Sequence, residues 1–357
     1  MSDAAANARD AAAEDVAAWD VTAWEVPSRP LVLAAPTTWF ELGPGDRILV
    51  AAGEPVTPGL GLAERRRDPR LEIGPPTVAE PDDAAAGLAP GDWWGGDGHE
   101  AGAMLRRRRP RTPPGEVLMA EAGRWQVVGG EHTELLESPG AGIVREVVPG
   151  RGIGLSLAGH GVPGAFAAGG PTRGRLELVA GESGLRGQLD VGRAGAILVV
   201  GGRLDSETIG RARAMGVRGI VVPGLAGKDL RDLVASEARQ RASLQAIAPF
   251  AVLVLDGTFR RPIPGPLQAL FDQLVGREVG IVADPPMLVI DPPLDPPAVP
   301  AEWVRIRHGD LAGREGRWRG PAGRRRFSAG VQLEAGTIEL DDGSIVVVPI
   351  PDLERFT

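Results

Sequence analysis

Apolar residues along this chain change their spacing repeatedly, and the changes divide it into regions. From Trp39 to Leu62, short Val and Leu runs alternate with the turns GPGD, GEP and TPG, the spacing of a β-meander. Between residues 65 and 114 the pattern degrades into RRR, PP, DD, WWGGDGHE and RRRRPRTPP, which predicts a mobile insertion. Order returns at Gly115, and apolar runs of about four to six residues separated by Pro-Gly and Gly-x-Gly turns predict further strands to residue 190. At Gly195 the period lengthens. GAILVVGG is a continuous apolar run suited to a strand buried on both faces, and Asp205 and Ser206 follow as helix caps. Ile209, Ala212 and Met215 then lie on one helical face before Gly216. VRGIVVPG, PFAVLVLDG and REVGIVAD predict three more strands, and KDLRDLVASEARQ and PLQALFDQLVG two more helices. This alternation is the pattern of βαβ units around a parallel sheet. DPPLDPPAVP reads as a stiff linker, and the remainder returns to short strands with a DDG hairpin turn.

The expected protein is therefore multidomain and mainly β with one α/β unit. An acidic tail (1–28) precedes a β domain (29–190) that holds the insertion (65–114). A βαβ parallel-sheet domain (191–290), a Pro-rich linker (291–300) and a five-stranded SH3-like barrel (301–357) follow.

Composition narrows the chemistry. The 357 residues include no Cys, which removes disulfides, thiolate nucleophiles and iron–sulfur clusters. Lys and Arg total 39, but Lys228 is the single lysine. A net charge of -8 argues against a surface that coats nucleic acid everywhere, while leaving room for a local basic patch. Residues 1–64 hold ten Asp and Glu against three Arg, which reads as a solvated tail or an acidic docking peptide carrying Trp19 and Trp24. With no positive leader and no apolar run of ~20 residues, the expectation is a cytoplasmic protein without membrane contact.

VRIRHGDLAGREGRW (Val304 to Trp318) is similar to a KOW motif, in which a basic strand leads into a glycine turn, and VVVPIPDLERF resembles the closing strand of such a barrel. That resemblance implies contact with RNA or RNA machinery. GDRILVAAGEPVTPGLGLA (Gly45 to Ala63) and ESPGAGIVREVVPGRGIGL (Glu137 to Leu155) resemble the two halves of a biotinyl/lipoyl-type barrel-sandwich hybrid. Carrier domains of that type need a lysine at a hairpin tip. Lys228 lies in the βαβ region instead, so the expectation is a structural barrel sandwich with no lipoyl or biotin arm and no cofactor. The whole resembles an uncharacterised bacterial family with a terminal KOW barrel.

Gly159, Gly161 and Gly164 satisfy G-x-G-x-x-G, but Pro163 and β-rich surroundings oppose the helix a dinucleotide site requires. His99, His132, His160 and His308 are scattered without ligand spacing. Gly201, Gly202, Asp205, Ser206 and Asp256 fall at strand ends, where open α/β sheets bind anionic metabolites, or where they simply form turns and a cap. The richest signal is C-terminal: eight Arg against Asp310 and Glu315 between residues 305 and 326. There Arg305, Arg307, Arg317, Arg319, Arg324, Arg325 and Arg326 interleave with Trp318 and Phe327, offering guanidinium forks for phosphate and flat faces for bases. The sequence thus reads as a non-enzymatic protein whose partner is RNA, a ribonucleoprotein or another protein. An enzyme or sensor using the βαβ sheet edge is the alternative.

Overall fold

The computed structural model describes residues 26–43, 46–66, 70–74, 93–94, 115–121, 124–129, 133–179, 185–187, 189–202, 204–242, 249–258 and 261–357. Among the described residues the chain is mainly β, with three α-helices: α1 (Ser206–Ala214), α2 (Gly227–Ala242) and α3 (Gly265–Leu274). It forms two compact units, both discontinuous. One comprises Leu33–Arg260 and Val275–Leu294, the other Met1–Val32, Arg261–Leu274 and Asp295–Thr357.

A nine-stranded sheet dominates the larger unit. Its four parallel strands, Thr172–Val179, Ala196–Val200, Gly219–Val222 and Ala251–Val254, lie side by side in chain order. AILVV, GIVV and AVLV are buried at every position, which is why they read as continuous apolar runs. Asp205 starts α1 by accepting the Thr208 N–H at 2.8 Å, and Gly216, at φ 83°, follows the helix end. Ile209 and Ala212 of α1 and Leu233 of α2 pack on Leu198, Val200, Ile220 and Val252. Arg213 donates to Glu237 at 2.6 Å, tying the two helices together while its guanidinium covers the Phe250 ring.

This sheet departs from the expected βαβ domain over 191–290. Its first parallel strand, Thr172–Val179, comes from before residue 190, and antiparallel strands flank the parallel run on both sides. Glu278–Ala283, expected to extend the parallel sheet, runs antiparallel to Thr172–Val179 and pairs next with Pro286–Ile290. A strand's own apolar run does not encode its direction. Through the short Ala283-to-Pro286 reversal Glu278–Ala283 continues into Pro286–Ile290, so this side of the parallel run is closed by an antiparallel pair.

Two smaller sheets share a second core in this unit. Thr37–Glu41, Gly152–Leu157, Gly142–Val148 and Pro55–Val56 form one, and Thr133–Glu137, Gly61–Arg66 and Arg47–Ile48 the other. Phe40, Val56, Leu62, Leu136, Val144, Ile153 and Leu155 fill the space between them. The stretches Gly45 to Ala63 and Glu137 to Leu155 pair with each other through Pro55 opposite Ile143 and Gly61 opposite Glu137. A third sheet contains Arg70–Gly74 and Trp93–Trp94, so the insertion expected to be irregular contributes two strands. Apart from Arg65 and Arg66, which end the Gly61–Arg66 strand, the rest of that insertion, including Arg106 to Arg109, lies outside the described residues, as do residues 1–25 of the expected tail. The expected linker is divided between the units. Asp291 accepts the Ala141 N–H at 2.6 Å, and the Pro292 carbonyl accepts Arg277 at 2.8 Å. No helix among the described residues is long and apolar enough to cross a membrane.

Candidate functional site

Six strands form the sheet of the smaller unit, in the order Ser28–Arg29, Leu353–Phe356, Trp303–Ile306, Glu315–Arg326, Gln332–Leu340 and Ile345–Pro349. The expected tail therefore ends in the fold: Val26 is buried and Ser28–Arg29 pairs with the C-terminal strand. Alternation sorts the side chains. Val304, Ile306, Trp318, Ile338, Leu340, Val348 and Leu353 form the core on one face. Register shifts after Trp318 and after Pro321 mark bulges, which let the twelve-residue Glu315–Arg326 strand bend along its partner.

The opposite face carries the charged residues in cross-strand rows. In one row Glu354, Arg305 and Glu315 are direct neighbours. Arg305 is completely buried, with Nη1 3.1 Å from Glu354 Oε1 and Nη2 donating to the Pro262 carbonyl at 2.7 Å. Arg29 and Arg307 approach the other Glu354 oxygen at 3.4 and 3.7 Å. Glu315 accepts the Gly265 N–H at the start of α3 at 2.9 Å and the Trp303 indole N–H at 3.1 Å. Burial pushes its carboxyl above the usual range, against the opposing pull of these two donors and of Arg305.

The next row begins with Arg29 beside Phe356 and continues through Trp303, Arg317, Glu339 and Ile345. The Arg29 guanidinium lies 4.8 Å above the Phe356 ring, and Phe356 stacks on Trp303 with centroids 5.3 Å apart. Arg319 pairs with Glu339, and Arg314 with Asp342. Among the described residues, the exposed side chains of Arg317, Arg324, Arg325 and Arg326 have no carboxylate partner.

Two of the residues singled out in the sequence are misplaced as surface contacts. Arg305 is the buried partner of Glu354, because the Arg261-to-Gly265 segment covers its row. Trp318 is only 2% exposed, because strand alternation turns it into the core while Arg317 and Arg319 face out. Arg307 is exposed beside Glu354, and Phe327 lies half-buried just past the arginine triplet. Trp303, Phe356 and Arg29 were not singled out. The period-two pattern of Trp303–Ile306 hints at Trp303, but the register that brings Arg29 alongside joins opposite ends of the chain.

At the sheet edge of the larger unit, Gly201 and Gly202 follow one parallel strand and Asp256 follows another, with Gly219–Val222 between them. The Asp205 carboxylate caps α1 from the turn ahead of Ser206. Gly159, Gly161 and Gly164 lie in or beside the strand His160–Pro163. A Cβ at these positions would come within 2.2 Å of the Ile290 carbonyl, 2.7 Å of Met287 Sδ and 2.5 Å of a Leu253 methyl. These glycines therefore serve close packing, and a strand, not a helix, comes next. His160 is in that strand, His308 is exposed, and His99 and His132 lie outside the described residues. No group of His, Asp and Glu among the described residues is arranged to hold a metal.

No family model matches the chain, and neither the curated proteins nor the solved structures contain a match to it.

Proposed function

We propose that this is a non-enzymatic RNA-binding protein that acts through a C-terminal KOW-like, SH3-like barrel, with a barrel-sandwich hybrid in the larger unit serving as scaffold. The observation that carries this reading is the set of exposed arginines on the Glu315–Arg326 strand, Arg317 and Arg324 to Arg326, which lack carboxylate partners among the described residues. Guanidinium groups left uncompensated on a bent hairpin suit phosphate oxygens, whose neutralisation releases counterions. Fluorescence anisotropy with labelled RNA across a salt series tests it. Replacing Arg324, Arg325 and Arg326 by Ala lowers the log-log salt slope by roughly two to three, at ~0.7 to 0.9 per contact. A wild-type protein that binds no RNA at low salt overturns the reading.

A protein partner is the second reading. The edge strand Ile345–Pro349 leaves Ile345 69% and Val347 44% exposed, which suits addition of a partner strand. Unchanged RNA affinity in the arginine variant would favour it.

A further inference from the structure

The Trp303 ring adds to the arginine strand a feature that phosphate contacts alone do not use. Arg29, Phe356 and Trp303 form a continuous pile, guanidinium on ring on ring, with the two rings only 25° from parallel. The pile is capped by Arg29 at one end. At the other end the neighbouring side chain is Arg317, directly opposite Trp303 in register, exposed and without a carboxylate partner among the described residues. The indole is fixed in place, since its N–H is held by Glu315 Oε2. A partly exposed aromatic face, held rigid and bordered by a long free guanidinium, is a platform on which one more flat, electron-rich ring can stack.

Resting on the RNA reading above, we propose that Trp303 and Arg317 take an unpaired nucleobase between them, so that the ligand of this face is single-stranded RNA rather than duplex. The chemistry favours the single strand because bases inside a duplex are already stacked, and their faces reach a protein ring only when splayed out. Arg325, which stands opposite Leu333 and so shares the sheet face of Arg317 and Glu339, then lies along the backbone leaving the platform. Every base has a π-face, so the platform confers strand-state preference without strong sequence preference.

The test uses the full chain with two labelled probes of equal length, an unstructured oligouridylate and an RNA duplex. The expected result is tighter binding of the oligouridylate, lost roughly ten-fold or more in Trp303→Leu with the salt slope unchanged. Stacking releases no counterions, so this signature separates it from the arginine contacts. Where Trp303→Leu fails to fold, photo-crosslinking of the unaltered protein to 5-iodouridine-substituted oligouridylate decides the question. A crosslink at Trp303 supports the platform, and crosslinks only elsewhere overturn it. Equal affinity for the two probes, with Trp303→Leu unchanged, overturns the platform while leaving phosphate binding by the arginines intact. Failure of both probes to bind overturns the RNA reading itself.

Discussion

Arg305 and Glu354 stand directly opposite each other on neighbouring strands, and neither reaches solvent appreciably, at 0% and 4% exposure. Desolvating both charges is costly, so the pair is stabilising only relative to either partner left alone. Glu354→Gln is expected to cost about 3–5 kcal/mol in urea unfolding, because it strands a buried guanidinium. Replacing both residues by apolar side chains of similar volume recovers much of that loss. If the single variant matches wild type, the pair is energetically idle.

Glu315 links stability to pH through its burial. Its folded carboxyl titrates above the ordinary value, so its contribution is fully present below that ordinary value and is lost as pH rises through the folded one. Glu315→Gln keeps an acceptor for the Gly265 and Trp303 N–H groups while removing the proton. The wild-type melting temperature, relative to this variant, is therefore expected to fall as pH increases from about 4 to about 7. A flat difference would contradict the burial argument.

Asp342 behaves in the opposite sense. Hydrogen bonds from the Ser344 hydroxyl and from Arg314, with another from the Ser344 N–H, hold its carboxyl well below the usual range. Its contribution is present above the ordinary carboxylate value and disappears as pH falls through the depressed one. In Ser344→Ala combined with Arg314→Ala, the Asp342 carboxyl carbon should titrate by NMR much closer to an ordinary aspartate.

Gly336 faces the Trp318 ring, and an added Cβ would stand 2.0 Å from Trp318 Cζ3. Gly336→Ala is expected to destabilise by at least the ~1–3 kcal/mol of ordinary overpacking, with a changed tryptophan emission. Gly201 makes a useful contrast, since a Cβ there meets nothing within 4 Å. Gly201→Ala should leave the melting temperature nearly unchanged.

Where local chemistry dictates structure, the sequence was readable. Asp205 and Gly216 bracket α1, the buried runs from Ala196, Gly219 and Ala251 are strands, and Asp341-Asp342-Gly343 turns a hairpin. Partners distant in the chain were not readable. Nothing local to Thr172–Val179 says that it begins the parallel run, and nothing in Arg305 distinguishes it from the exposed arginines until Glu354 and Pro262 arrive beside it. The same holds for α3, whose residues suit a βαβ crossover, although Gly265 is held by Glu315 in the smaller unit. Charge clustering located the basic strand, but only alternation and bulges decide which of its residues face water.

The pairing of Ser28–Arg29 with Leu353–Phe356 has a consequence for synthesis. The first strand of this sheet leaves the ribosome long before its partner exists, and at ~5–20 residues per second it waits many seconds for it. The larger unit can meanwhile complete most of its pairing from chain already made. The order of assembly is thus written into the connectivity: the arginine-bearing sheet closes only once Leu353–Phe356 has been made, and chains stopped short of that strand should lack the closed sheet.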